Sequence, residues 1–196
     1  MQELEKYIAF DLEFNTVNEV SHIIQVSAVQ FENGQEVAHF DSYAYTDVPL
    51  QSFINGLTGI TADKIQQAPK LEMVLASFAK FVGDTSLIGY NAHKSDLPLL
   101  AENGLDLQNQ YAIDVYDEAF ERRSRDLNGI ANLRLSTVST FLGIKGQSHN
   151  SLEDARMTAL VYQQFLEFDQ NKLLLEKQDQ SSHNPFSGLD LSGWLD

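Results

Sequence analysis

One short stretch near the start constrains the chain more than any other: Tyr7-Ile8-Ala9-Phe10-Asp11-Leu12-Glu13-Phe14, an apolar run that ends on two carboxylates spaced two residues apart. Strand side chains alternate between faces, so Asp11 and Glu13 share one side while Ile8, Phe10, Leu12 and Phe14 take the other. Tyr7 and Ala9 share the acidic side without being charged, so both faces of the strand are expected to be covered. That pattern suits a central strand sandwiched by helices. At about 4 Å and an effective dielectric near 20, two like charges repel by roughly 4 kcal/mol. The pair is therefore either hydrated at an open strand end or neutralised by a bound cation, and other parts of the chain must decide.

After a polar loop at residues 15–21, a β-branched run at 23–31 reads as a second strand. Asn33-Gly34 is a tight-turn signal, and residues 37–45 return as the third strand of an antiparallel meander. Residues 49–68 read as loop with short helical turns near Phe53 and at 62–66. Leu71, Val74, Leu75, Phe78 and Val82 then recur at helical spacing up to a stop at Gly83. Short buried strands are expected at 86–90 and 112–115, with helices at 96–102, 116–125, 136–142 and from Ser151 to Phe168 or beyond. A meander followed by helices alternating with short strands predicts an α/β fold around a mixed sheet of about five strands. The expected domain is residues 1–177. Residues 178–196, where Phe186, Leu189, Leu191, Trp194 and Leu195 stand among Ser, Gly and Asp, read as a tail that is flexible or docks on a partner.

The chain of 196 residues is 43% hydrophobic, with 12 Phe and 7 Tyr, enough for one sizeable core. It has no apolar run near the ~20 residues of a membrane span, and no apolar segment follows its charged first residues as in a secretory signal. The absence of cysteine excludes disulfides and thiolate metal sites and fits a cytoplasmic protein. A net charge of −15 argues against wide wrapping of nucleic acid, which needs phosphate neutralisation by Lys and Arg. It leaves room for a small footprint at a metal site, where the ions carry the positive charge.

Two further stretches supply acids. In Gly89-Tyr90-Asn91-Ala92-His93-Lys94-Ser95-Asp96 a strand stops, a polar loop turns, and Asp96 opens a helix, where an acid can also serve as a simple cap. In His149-Asn150-Ser151-Leu152-Glu153-Asp154 the histidine precedes a helix and Asp154 lies in its first turn, where Ser151 and Asp154 also resemble a capping box.

Taken in order, Asp11-x-Glu13, Asn91 with Asp96, and His149-x4-Asp154 resemble the DEDDh branch of the 3′-to-5′ exonucleases, which have an RNase H-like fold and include proofreading exonucleases of bacterial replicative polymerases. The likeness runs from about residue 7 to 166, and Leu57-Thr58-Gly59-Ile60, Ala68-Pro69 and Ile113-Asp114-Val115 fall in register with it. It implies that Asp11, Glu13, Asp96 and Asp154 hold two divalent ions, Mg²⁺ or Mn²⁺, and that His149 is the general base. Hard carboxylate oxygens suit such ions, and an imidazole can take a proton from water at neutral pH. Phe14, Asn15, Leu57, Ile60 and Asn91 are candidates for contact with the terminal nucleotide. The chain departs from the family in three places, the first being Phe14-Asn15 after Glu13, where many DNA-directed members carry Thr. Asn91 and Asp96 are five apart, as in the TREX-like branch, and Ser95 stands where many members have an aromatic. His22, His39, His93 and His183 read as surface or satisfied histidines. Arg122, Arg123 and Arg125 form the densest positive group, either a solvated face or a guide for a phosphate backbone.

The resemblance implies release of nucleoside 5′-monophosphates from the 3′ end of single-stranded or frayed DNA. The alternatives are an exoribonuclease of the same fold, a phosphomonoesterase, and a non-catalytic module docked on a replication or repair assembly. The implied partners are a nucleic acid 3′ end and, through the tail, a polymerase or clamp.

Overall fold

The computed structural model describes residues 1–146 and 150–182. Strands β1 (Lys6–Val17), β2 (Val20–Glu32) and β3 (Gln35–Tyr43) form the meander, and β4 (Leu87–Gly89) and β5 (Tyr111–Asp114) extend it. The sheet order is β3-β2-β1-β4-β5, with β4 parallel to β1 and β5 parallel to β4. The helices are α1 (Ser52–Thr58), α2 (Ala62–Gln66), α3 (Leu71–Val82), α4 (Asp96–Glu102), α5 (Val115–Arg122), α6 (Leu135–Phe141) and α7 (Ser151–Ser182). This is the expected mixed five-stranded α/β sheet.

The loop expected at residues 15–21 is absent. β1 runs on to Val17 and pairs with β2 as far as Val17 opposite Val20. Asn18 and Glu19 turn the chain with φ of 50° and 66°, two left-handed residues in succession, the backbone of a hairpin turn whose twist matches its strands. Thr16 and Ser21 bond across the pair through their hydroxyls at 2.9 Å. Polar residues made this stretch read as loop because, Asn15 apart, it is partly or fully exposed.

The alternation in β1 divides the core as the sequence implies. Tyr7 and Ala9 pack with Val29 and Phe31 against Val138 of α6 and Tyr162 and Phe165 of α7. Tyr7 stacks on Phe31 at 5.5 Å and meets Tyr162 edge-on at 4.9 Å. Ile8, Phe10 and Leu12 pack on the opposite face with Val74 and Phe78 of α3 and Leu97 and Leu100 of α4. Helices on both faces make β1 a central strand.

α7 continues to Ser182, past the position where the tail was expected to begin, and Leu173, Leu174 and Leu175 on its distal part are exposed. Residues 183–196, with the expected docking segment and His183, lie outside the described residues. Arg122 corrects the reading of a basic cluster. It is buried, with an ion pair to Glu118, another to Asp169 at 2.7 Å, and its guanidinium 4.8 Å from the Phe165 ring centre. A guanidinium committed to the core cannot guide a polymer. Arg123 and Arg125 are exposed.

Candidate active site

Three of the four expected acids gather at the middle of β1, just past the point where β4 stops pairing with it. One carboxylate oxygen from each of Asp11, Glu13 and Asp154 lies within 4.8 Å of the other two, and all three residues are half-buried. Asp11 and Glu13 are there by strand parity, on the face that α7 covers. Asp154 is there because α7 begins over that face. Its first turn is capped by Asn150, whose side-chain oxygen accepts the Glu153 N–H at 3.2 Å and whose carbonyl accepts the Asp154 N–H at 2.8 Å. The cap expected from Ser151 is not made. Ser151 is buried, and its hydroxyl meets that of Ser27 at 2.5 Å. Ser27 stands opposite Asp11 in the β1–β2 register and donates to Asp41 at 2.8 Å, so the Ser151 hydroxyl is the donor to Ser27. Gln25 also donates to Asp41, at 2.7 Å. This relay from β3 through β2, buried at Ser27 and Ser151, fixes the start of α7, and with it Asp154.

Asp96 reaches the same place from the other side of the sheet. β4 pairs with β1 only at Ile8 and Ala9 and ends at Gly89, so the Leu12 N–H beyond it has no strand partner on that side. The Asp96 carboxylate takes that N–H at 3.2 Å and also accepts the Ser95 hydroxyl. Asp96 therefore does not act as a simple helix cap. It is the first residue of α4, buried, with its carboxylate turned toward β1.

The charges of the cluster add to the effect of burial on Asp11 and Glu13. Burial, followed by the charges of Asp96, Asp154 and Glu13, raises the Asp11 carboxyl well above its ordinary value. Burial and then Asp154 and Asp96 raise Glu13 to about 7. Burial raises Asp96 to about 6, against the lowering effect of its bonds from Ser95 and Leu12. Among the described residues, these influences on Asp11 and Glu13 all act upward. Such a cluster fits hard divalent cations, because bound positive charge removes the repulsion that the fold retains.

His149 lies outside the described residues. Among the candidate substrate contacts, Phe14 lines a cavity of about 410 Å³ beside Ser95 and Lys94. Leu57 is exposed on α1, and Ile60 is buried in a small core with Ile24, Ile54 and Ile65. Asn15 is fully buried; its amide donates to the Pro49 carbonyl at 3.1 Å and its side-chain oxygen accepts the Gln51 N–H at 3.0 Å. That makes Asn15 a tie between β1 and the segment before α1 rather than an exposed contact. Asn91 is half-buried on the loop before Asp96. A second set of possible ligands, His93, Asp114 and Asp117, also falls within 4.8 Å. Neither Asp114 nor the Ser27–Ser151 relay was found as part of the site from the sequence. An acid closing a buried strand was the available signal for Asp114, the same signal that singled out Asp11.

The RNase_T exonuclease family profile matches residues 8–162, most of the chain and all four acids of the cluster. The chain belongs to this exonuclease family. Its mixed five-stranded sheet with helices on both faces is the RNase H-like architecture expected from the sequence. Similar sequences include the DNA polymerase III PolC-type protein of Caldanaerobacter subterraneus, 28% identical over 83% of this chain and 12% of that protein. The PolC-type protein of Bacillus cereus is 31% identical over 79% of this chain and 11% of that one. The chain thus spans only about an eighth or less of the length of these relatives. Among solved structures, the nuclease domain of 3′hExo, a DEDDh family member bound to rAMP, aligns with a TM-score of 0.68 at 17% identity, covering 83% of this chain and 92% of that one. The zinc-bound complex of E. coli ExoI with single-stranded DNA aligns with a TM-score of 0.70 at 18% identity, covering 88% of this chain and 42% of that one. These two likenesses concern the fold.

Proposed function

We propose that the chain is a metal-dependent 3′-5′ exonuclease that removes nucleoside 5′-monophosphates from single-stranded or frayed DNA. The observation that carries this reading is the convergence of Asp11, Glu13 and Asp154 within 4.8 Å, with Asp96 beside them. These four carboxylates would hold two divalent ions, Mg²⁺ or Mn²⁺. When bound, such ions supply Lewis-acid activation of water and neutralise charge on the scissile phosphate. Asp11 and Glu13, fixed on a central strand, set the position of the phosphate. Asp96 and Asp154 close the cluster from helix starts on opposite sides of the sheet. His149, five residues before Asp154 in the sequence motif, takes the proton of the attacking water at an imidazole nitrogen. Exposed Leu57 and half-buried Phe14 offer apolar contact to the terminal nucleotide.

DNA is favoured as substrate because the PolC-type relatives are named as DNA polymerases. A polymerase or another component of a replication assembly is the corresponding partner, with the segment beyond α7 as the place to look for its contact. The lack of cysteine fits work in the cytoplasm. Digestion of matched 3′-labelled DNA and RNA oligomers in Mn²⁺ tests the substrate. Faster release of mononucleotide from DNA is expected; faster release from RNA would assign an exoribonuclease instead.

A further inference from the structure

Asp96 is presented by a loop, and the loop is held by a residue outside the cluster. After β4 ends at Gly89 the chain folds back on itself so tightly that a Cβ on Gly89 would lie 2.6 Å from the Ala92 Cβ and 3.2 Å from the Tyr111 hydroxyl of β5. Asn91 then adopts a left-handed φ of 60°, which Asn tolerates better than most non-glycine residues. The group that holds the turn is Asp114, which is buried, closes β5 and stands opposite Gly89 in the strand register. Its Oδ1 accepts the Asn91 N–H at 2.7 Å and the Tyr116 N–H at 3.0 Å, and its Oδ2 faces the His93 N–H at 3.5 Å and the His93 Nδ1 at 2.5 Å.

Capping α5 would need only the bond to Tyr116. The bonds to Asn91 and His93 go instead to the turn that leads into Asp96. Electrostatics alone would disfavour a second buried carboxylate here, since its charge opposes ionisation of Asp96.

We infer that Asp114 is a positioning residue, which clamps the 89–95 loop onto β5 and so sets where the Asp96 carboxylate stands among the metal-binding acids. The inference rests on the metal-dependent reading above. It assigns no metal to His93, Asp114 and Asp117, because the lone pairs of Asp114 are already used by the loop and the helix cap.

The test is Mn²⁺ binding to the full chain without nucleic acid, followed by electron paramagnetic resonance, for the wild type, Asp114→Glu, Asp114→Asn and Tyr162→Phe. Tyr162→Phe removes hydrogen bonds to Leu4 and Gln2, far from the acids, and calibrates a purely structural loss. Glu keeps the charge and displaces the oxygens; Asn keeps Oδ1 in place and loses the charge. Positioning predicts weaker Mn²⁺ binding in Asp114→Glu by about 10-fold or more, the usual effect of disturbing the groups that orient ligands. Asp114→Asn should weaken binding less, and Tyr162→Phe should retain wild-type affinity.

Wild-type affinity in Asp114→Glu with loss in Asp114→Asn would make the effect one of charge and overturn the inference. Wild-type affinity in both, with only lowered Tm, would reduce Asp114 to a helix cap. Should Asp114→Glu not fold, unchanged affinity in Asp114→Asn overturns the inference by itself. A wild type that binds no Mn²⁺ would remove the metal-dependent reading and this inference together, an outcome distinct from the others.

Discussion

Glu13 carries a carboxyl raised to about 7, and Asp96 one raised to about 6, mainly because burial disfavours their charged forms. A carboxyl whose folded value lies above its unfolded value favours the fold when protonated. Its contribution is complete below the unfolded value, 4.5 for Glu13 and 3.8 for Asp96, and is lost as pH rises through about 7 and 6 respectively. The metal-free protein should therefore melt at a higher temperature near about pH 5 than near about pH 8, and Mn²⁺ should restore most of the loss at the higher pH. Calorimetric scans in EDTA and in Mn²⁺ check this; a metal-free Tm that rises with pH over that range would contradict it. By the same logic Asp11→Asn should stabilise the metal-free protein by on the order of 1 kcal/mol at pH 8, since it removes one repelling charge, while abolishing turnover. His149→Ala should leave Mn²⁺ affinity close to wild type and slow turnover by about 10²–10⁴-fold, the usual contribution of general-base catalysis. Equal loss of metal affinity in both variants would contradict the division of labour between the acids and the histidine.

The elements differ in how plainly the sequence announces them. β1 is legible because its alternation serves two cores at once, with Tyr7 and Ala9 on one and Ile8, Phe10 and Leu12 on the other. The β1–β2 turn is not, because Glu19 in a left-handed conformation has no sequence signature, whereas Asn33-Gly34 has one. The acids themselves were legible by spacing, but their supports were not. Ser151 looked like a cap and is instead the end of a buried relay from Ser27, a contact between residues far apart in the chain that no local pattern encodes. Asn15 looked like a substrate contact by its place beside Glu13 and is a buried tie to residues 49–51. The turn after β4 offers an element-scale test. Gly89→Ala forces a Cβ against Ala92 and should cost about 1–3 kcal/mol of stability. Because that turn leads to Asp96, kcat should fall further than in a core variant of equal Tm. A kcat equal to wild type would separate the turn from the site.

At the scale of the whole molecule, the mixed sheet followed from the order of strands and helices, and family membership followed from acids lying in the right sequence at the right intervals. Arg122 was misread because charge in a sequence says nothing of burial; its partners Glu118 and Asp169 come from α5 and the middle of α7. Among the described residues no helix is long and apolar enough to cross a membrane. With a net charge of −15, the chain has little with which to hold a polymer except at the acidic cluster, where divalent cations would reverse the local sign.

The most direct test is digestion of a 5′-labelled single-stranded DNA oligomer by the purified chain in Mn²⁺, in EDTA, and with Asp11→Asn in place of the wild type. The account predicts progressive shortening from the 3′ end with release of nucleoside 5′-monophosphates in Mn²⁺ alone, and none in EDTA or with the variant. Shortening that persists in EDTA, or no mononucleotide from DNA or RNA in Mn²⁺, would contradict it.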